Sequence, residues 1–208
     1  MNIKNQKKQL QVKSYKGETW TTYTIVYGAM PHNYDAFVNA ELSKISMEMM
    51  QVGSPKALKI LLNLHEKYPH IPIFMNNIAV CYEAQGKLCE ANKYLEKMYQ
   101  TCPDYLFGRF ARAFKALDEG RIEDVPSIFN NCFNLKDLYP ERDSFHITEM
   151  LSFTYIIGMY LCFIGDIKAA EVYCRLLEEL AGKDEERAQI LSELIRARVR
   201  LDKAYKKE

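Results

Sequence analysis

The sequence predicts an all-α fold of about four stacked helical hairpins. A C-terminal amphipathic helix closes it, and a short extended, β-prone segment precedes it. Three observations predict this. Segments starting at Gly86, Gly120 and Gly165 share an aliphatic residue two positions later (Leu88, Ile122, Ile167), a compact residue five later (Ala91, Val125, Ala170) and an apolar residue nine later (Leu95, Phe129, Cys174). Gly86 and Gly120 lie 34 residues apart, and the next interval is the same period with an 11-residue insertion. Self-similarity at such a period marks a repeat architecture, in which one unit cannot bury its apolar face alone. The third observation is the contrast at the N-terminus, where Thr, Tyr, Val and Ile alternate with polar residues over residues 9–27.

Taken in order, residues 1–32 form a basic, extended segment, with Tyr15-Lys16-Gly17 placed to close a hairpin between residues 9–14 and 19–26. Residues 18–27 have no partner in the helical array itself, so they are expected to pack on the repeats, in a groove or on the exposed side of the first hairpin. Residues 33–184 form the array, with copies at about 38–71, 72–105, 106–139 and 151–184 and an insertion near 134–149. In the first copy, Ser54 is the expected N-cap and Pro55 the first-turn residue of a second helix. In the second, Gly86 allows the reversal of chain direction, and Ala79 and Ala91 allow the two helices to approach closely. In the third, Pro126 falls in the first turn of its helix, where amide donors lack partners anyway. Tyr139-Pro140-Glu141-Arg142 reads as a loop between the third and fourth hairpins. Residues 185–208 read as an amphipathic cap on the last repeat, with Ile190, Leu194, Ala197, Leu201 and Ala204 on its apolar stripe. A homodimer or a partner helix docked on that helix is the sharper alternative.

The pattern resembles the tetratricopeptide repeat (TPR). Pro72 to Tyr105 carries it most fully, with Ile78, Ala79, Tyr82, Gly86, Ala91, Leu95 and Pro103 at matching places. The fourth copy matches at Gly158, Leu161, Gly165, Ala170 and Leu177. Met75 departs from the tryptophan the family prefers, and Arg112 occupies a usually apolar place. The resemblance implies a short right-handed superhelix whose first helices line a concave groove. Carried onto this chain, the lining is Leu42, Ser46 and Met49; Ile73, Asn76, Asn77, Val80 and Glu83; Phe107, Phe110, Phe114 and Leu117; and Tyr155, Met159, Cys162 and Phe163. Such a lining is mostly apolar and aromatic, suited to an extended peptide or an amphipathic helix of another protein. It is not suited to the carboxylate tails that some family members clamp. Asn77 matches one clamp position, but Leu42, Ser46, Phe107 and Ala111 stand where basic and amide residues would be needed. Bacterial family members that act as chaperones for secreted or aggregation-prone clients supply a second expectation. A homo-oligomerisation module is a third.

Composition narrows the remaining classes. Net charge is +1, with basic residues concentrated at the two ends, which read as solvated tails and not as a nucleic-acid surface. No apolar leader precedes the array and no stretch is expected to span a bilayer, so a cytoplasmic location and no membrane partner are expected. Six cysteines without CxxC spacing read as reduced, mostly buried thiols. The histidines (His32, His65, His70, His146) show no zinc spacing, and no phosphate-binding or nucleophile-elbow motif occurs. The sequence therefore predicts a non-catalytic protein with no metal and no cofactor.

Overall fold

The computed structural model describes residues 7–13, 20–27, 36–49, 54–182 and 185–205. These form three strands, β1 (Lys7–Lys13), β2 (Trp20–Val26) and β3 (Ser144–His146), and ten helices. The helices are α1 (Ala36–Met49), α2 (Pro55–Lys67), α3 (Pro72–Ala84), α4 (Leu88–Thr101), α5 (Leu106–Asp118), α6 (Asp124–Ile128), α7 (Leu135–Leu138), α8 (Ile147–Ile164), α9 (Ile167–Ala181) and α10 (Glu186–Tyr205). They gather into two compact units, Pro31–Ala111 and, together, Met1–Met30 with Arg112–Glu208. The expected single array over residues 33–184 is thus divided within α5, and the N-terminal segment belongs with the later helices.

All three glycines of the repeat are elbows of one design. Gly86, Gly120 and Gly165 have φ of +73°, +73° and +88°, the left-handed region that a Cβ disfavours. After each glycine, the next amide reaches back to a carbonyl five residues earlier: Lys87 N to Tyr82 O at 2.9 Å, Arg121 N to Ala116 O at 2.8 Å, and Asp166 N to Leu161 O at 2.9 Å. Each glycine amide also donates to the carbonyl three residues before it. This double bond pattern satisfies the orphan carbonyls of a helix end and turns the chain at once.

In the Pro31–Ala111 unit, α1 to α4 make two successive hairpins. Val38, Leu42, Ile45, Leu58, Leu61, Phe74 and Ile78 form one buried cluster. Met75, Ala79, Ala91, Leu95 and Met98 form a second. Ala79 and Ala91 are both about fully buried, as close approach of α3 and α4 requires. Ser54 caps α2 by accepting from the Ala57 amide, with Pro55 in the first turn.

In the other unit, β1 and β2 form an antiparallel hairpin, in register from Lys7 opposite Val26 to Lys13 opposite Trp20. Leu10 lies opposite Tyr23, and both are buried. β2 then pairs in parallel with β3, Ile25 beside Phe145. The sequence missed β3, which is three residues long and too short to show alternation. β3 also corrects the expected seat of the N-terminal segment. Residues 20–26 form the middle strand of a sheet, and a small recess lined by Val12, Thr21, Tyr23, Met150, Phe153 and Tyr173 shows the sheet facing α8 and α9.

The third hairpin is truncated. α6 runs only five residues, because Asn130 and Asn131 follow it with φ of +53° and +59°, two left-handed residues in succession. The insertion then builds α7, capped by Asn134, whose Oδ1 accepts from the Asp137 amide at 2.8 Å. β3 leads directly into α8.

α8 corrects a further expectation, because by length and composition it is apolar enough to cross a membrane, with a mean hydropathy of 1.6. In the fold 56% of its residues are buried, and α9 and α10 both pack against it. Gly158 makes that packing close, since a Cβ there would lie 2.5 Å from Leu191 Cδ2 and 3.3 Å from Tyr173 Cβ.

Candidate functional site

The first helices of the hairpins are α1, α3, α5 and α8, and their faces divide into core and surface. Leu42, Ile73, Phe110, Leu117 and Cys162 are buried, Phe110 at 3% exposure, so these members of the expected lining belong to the hydrophobic core. Helix α5 shows why. Leu106, Phe110, Ala113 and Leu117 follow the 3–4 spacing of its buried stripe, so the aromatic run Phe107, Phe110, Phe114 straddles two faces. The side chains of Ser46 and Met49 lie outside the described residues.

What stays accessible is a strip in each unit. On α3, Asn76, Asn77 and Val80 are half-buried and Glu83 is exposed. Partial desolvation raises the Glu83 carboxyl pKa above its ordinary value. At the start of α5 the half-buried Phe107 ring meets Phe110 edge-on at 5.6 Å and lies 5.9 Å from Tyr105. In the other unit Phe114 and Tyr155 bring their rings to 6.1 Å, both half-buried. Met159 is half-buried, and Phe163 is exposed at 38%. Tyr155, Met159 and Phe163 are four apart on α8 and so share one face. Burial raises the Tyr155 pKa, so its phenol stays protonated at neutral pH and available as a donor. The result is an aromatic and thioether surface with a hydroxyl at one end.

Two polar clusters lie elsewhere, and sequence reading placed neither. His65 Nε2 lies 3.1 Å from Lys97 Nζ and its ring meets Tyr94 edge-on at 5.8 Å, with Tyr94 stacked on Tyr82 at 5.9 Å. Burial first, and the Lys97 charge second, lower the His65 pKa, so the ring is neutral and its Nε2 accepts from the ammonium. In the insertion, Arg142 makes a two-pronged pair with the buried Glu149, Nη1 to Oε1 at 3.0 Å and Nη2 to Oε2 at 2.7 Å. Glu149 Oε2 also accepts from the His146 amide at 2.8 Å, and His146 Nδ1 accepts from the Thr148 amide. This is a reciprocal cap for α8. Arg142 lies 4.3 Å from the centre of the Phe145 ring. The signal was present in His146-Ile147-Thr148-Glu149, a capping spacing ahead of an apolar run. The Arg142–Glu149–His146 cluster is closed by local partners and braces the fold, whereas the buried His65 Nδ1 has no hydrogen-bond partner among the described residues.

Burial raises the pKa of Cys81 and of Cys174, which keeps both as thiols. Among the described residues no group of three or more His, Cys, Asp or Glu side chains is placed to hold a metal ion. No protein-family profile matches the chain, and no curated protein matches it.

Proposed function

We propose that the hairpins are tetratricopeptide-type repeats and that the chain is a non-catalytic protein that binds a polypeptide segment of a partner. The strip of Phe114, Tyr155, Met159 and Phe163 is the chief contact. What carries this reading is the repeated glycine elbow together with a first-helix face left half exposed and built from Phe, Tyr and Met. Those side chains offer large contact area, and Met adapts to a partner's shape. An extended apolar peptide or one face of an amphipathic helix is the matching guest.

The test is selection of peptides from a random library on the intact chain, followed by fluorescence anisotropy of the selected peptides. Phe114→Ser and Met159→Ser should each weaken binding by about tenfold, roughly 1.4 kcal/mol. Val172→Ser, on the exposed face of α9, should leave it unchanged. Peptides whose affinity ignores Phe114 and Met159 would refute the reading. Phe110 is unsuited to this test, because a buried core residue would report stability instead of contact.

A further inference from the structure

Helix α10 carries two apolar stripes, and among the described residues only one is fully buried. Ala188, Leu191 and Ile195 are buried, with Leu191 closing on Gly158 and Cys174 Sγ lying 3.5 Å from the Ala188 carbonyl. The stripe expected from the sequence to cap the array is the other one. Ile190 is 39% exposed and Leu201 55%, Ala197 and Ala204 are exposed, and Leu194 is half-buried. At 3.6 residues per turn the two stripes lie roughly 140° apart, close to opposite faces. The uncovered stripe is spaced 4, 3, 4, 3 in sequence, the 3.5-residue repeat of a coiled-coil seam.

We propose that this stripe pairs α10 with the α10 of a second copy, antiparallel, as an isologous dimer. Charge selects the second copy and the direction. The first half of the exposed surface carries Glu186 and Glu193, with the partly exposed Arg187 paired to Glu185 at 3.7 Å, and the second carries Arg196, Arg200 and Lys203. A parallel copy would lay the basic stretches from Arg196 to Lys203 of the two helices side by side. An antiparallel copy sets the acidic half of each helix along the basic half of the other, and it opposes the helix dipoles favourably. With Leu194 opposite Ala197 of the second copy and Ile190 opposite its Leu201, Glu193 flanks Arg200 of the second copy, twice over by symmetry. Ala197 and Ala204 let the helices approach closely. This inference stands on α10 alone and does not need the peptide-binding reading.

Sedimentation equilibrium of the full chain tests it, with circular dichroism confirming that each variant is folded. Wild type should show a concentration-dependent monomer–dimer equilibrium. Leu201→Glu, at an exposed position, should raise the dimer dissociation constant by about tenfold or more. Glu193→Arg and Arg200→Glu should each weaken the dimer, and the double variant should recover it, because the swap restores both ion pairs. A wild-type chain that stays monomeric at sub-millimolar concentration would overturn the proposal, leaving the stripe to a different protein. So would a dimer indifferent to Leu201→Glu. Two weakening charge reversals that fail to rescue one another would overturn the antiparallel register.

Discussion

Replacing Ile25 by Ala tests whether the N-terminal hairpin is a wall of its unit or a detachable arm. Ile25 is fully buried in the middle strand of the sheet, beside Phe145 of β3. The substitution removes three carbons, which at about 0.8 kcal/mol per buried methylene gives roughly 2.4 kcal/mol of lost transfer energy. The cavity left behind places the total in the range of about 2–5 kcal/mol. Thr22, on the same strand, is exposed, so Thr22→Ala should change stability by less than about 0.5 kcal/mol. The assay is urea unfolding followed by fluorescence of the single tryptophan, Trp20, which begins β2. Far-UV circular dichroism alongside it reports the helices. The Ile25 variant should move both transitions to lower urea, because the sheet and α8 share one unit. Equal midpoints for Ile25→Ala and Thr22→Ala would refute the packing of the hairpin. A shift in fluorescence without a shift in dichroism would show a strand that melts on its own.

Gly86→Ala and Gly120→Ala should each cost about 1–2 kcal/mol in thermal unfolding, the cost of a left-handed backbone alone, since a Cβ at either position would meet no atom within 4 Å. Arg142→Ala should destabilise the second unit by about 1–3 kcal/mol by stripping the two-pronged partner from buried Glu149, and adding Glu149→Gln should recover part of the loss in the same urea assay. His65 has a lowered pKa when folded, so the unfolded chain binds the extra proton first as acid is added. Stability from the neutral ring is fully present above about pH 6.5 and declines as pH falls below it, a slope that His65→Gln should flatten in urea midpoints measured against pH.

The helical elbows were legible in the sequence because their cause is local. A left-handed residue after a helix needs glycine, and Gly86, Gly120 and Gly165 recur with the same apolar residues behind them. Ser54-Pro55 was legible for the same reason. The insertion was not, because what orders it is distant in sequence. β3 exists through pairing with β2, more than a hundred residues earlier, and the Arg142–Glu149 pair exists because α8 starts at that strand's end. The length of α6 hung on Asn130 and Asn131, residues that tolerate the left-handed region without requiring it. For the proposed binding surface, spacing did not show which side of each first helix is buried. Phe110 and Phe114 differ by one turn, and the turn that faces the core is fixed by which neighbours arrive. Helix α10 shows the same ambiguity, since two apolar stripes run along it and the sequence alone favoured the one that stays mostly exposed among the described residues.

The most direct measurement is site-specific photo-cross-linking in the chain's native cells, with a photoreactive phenylalanine analogue at position 114, at 159 and, as control, at 172. The expected result is one discrete polypeptide adduct shared by positions 114 and 159 and missing at 172. Adducts of equal yield at all three positions, or none with any polypeptide at 114 and 159, would contradict a protein-binding surface on α5 and α8.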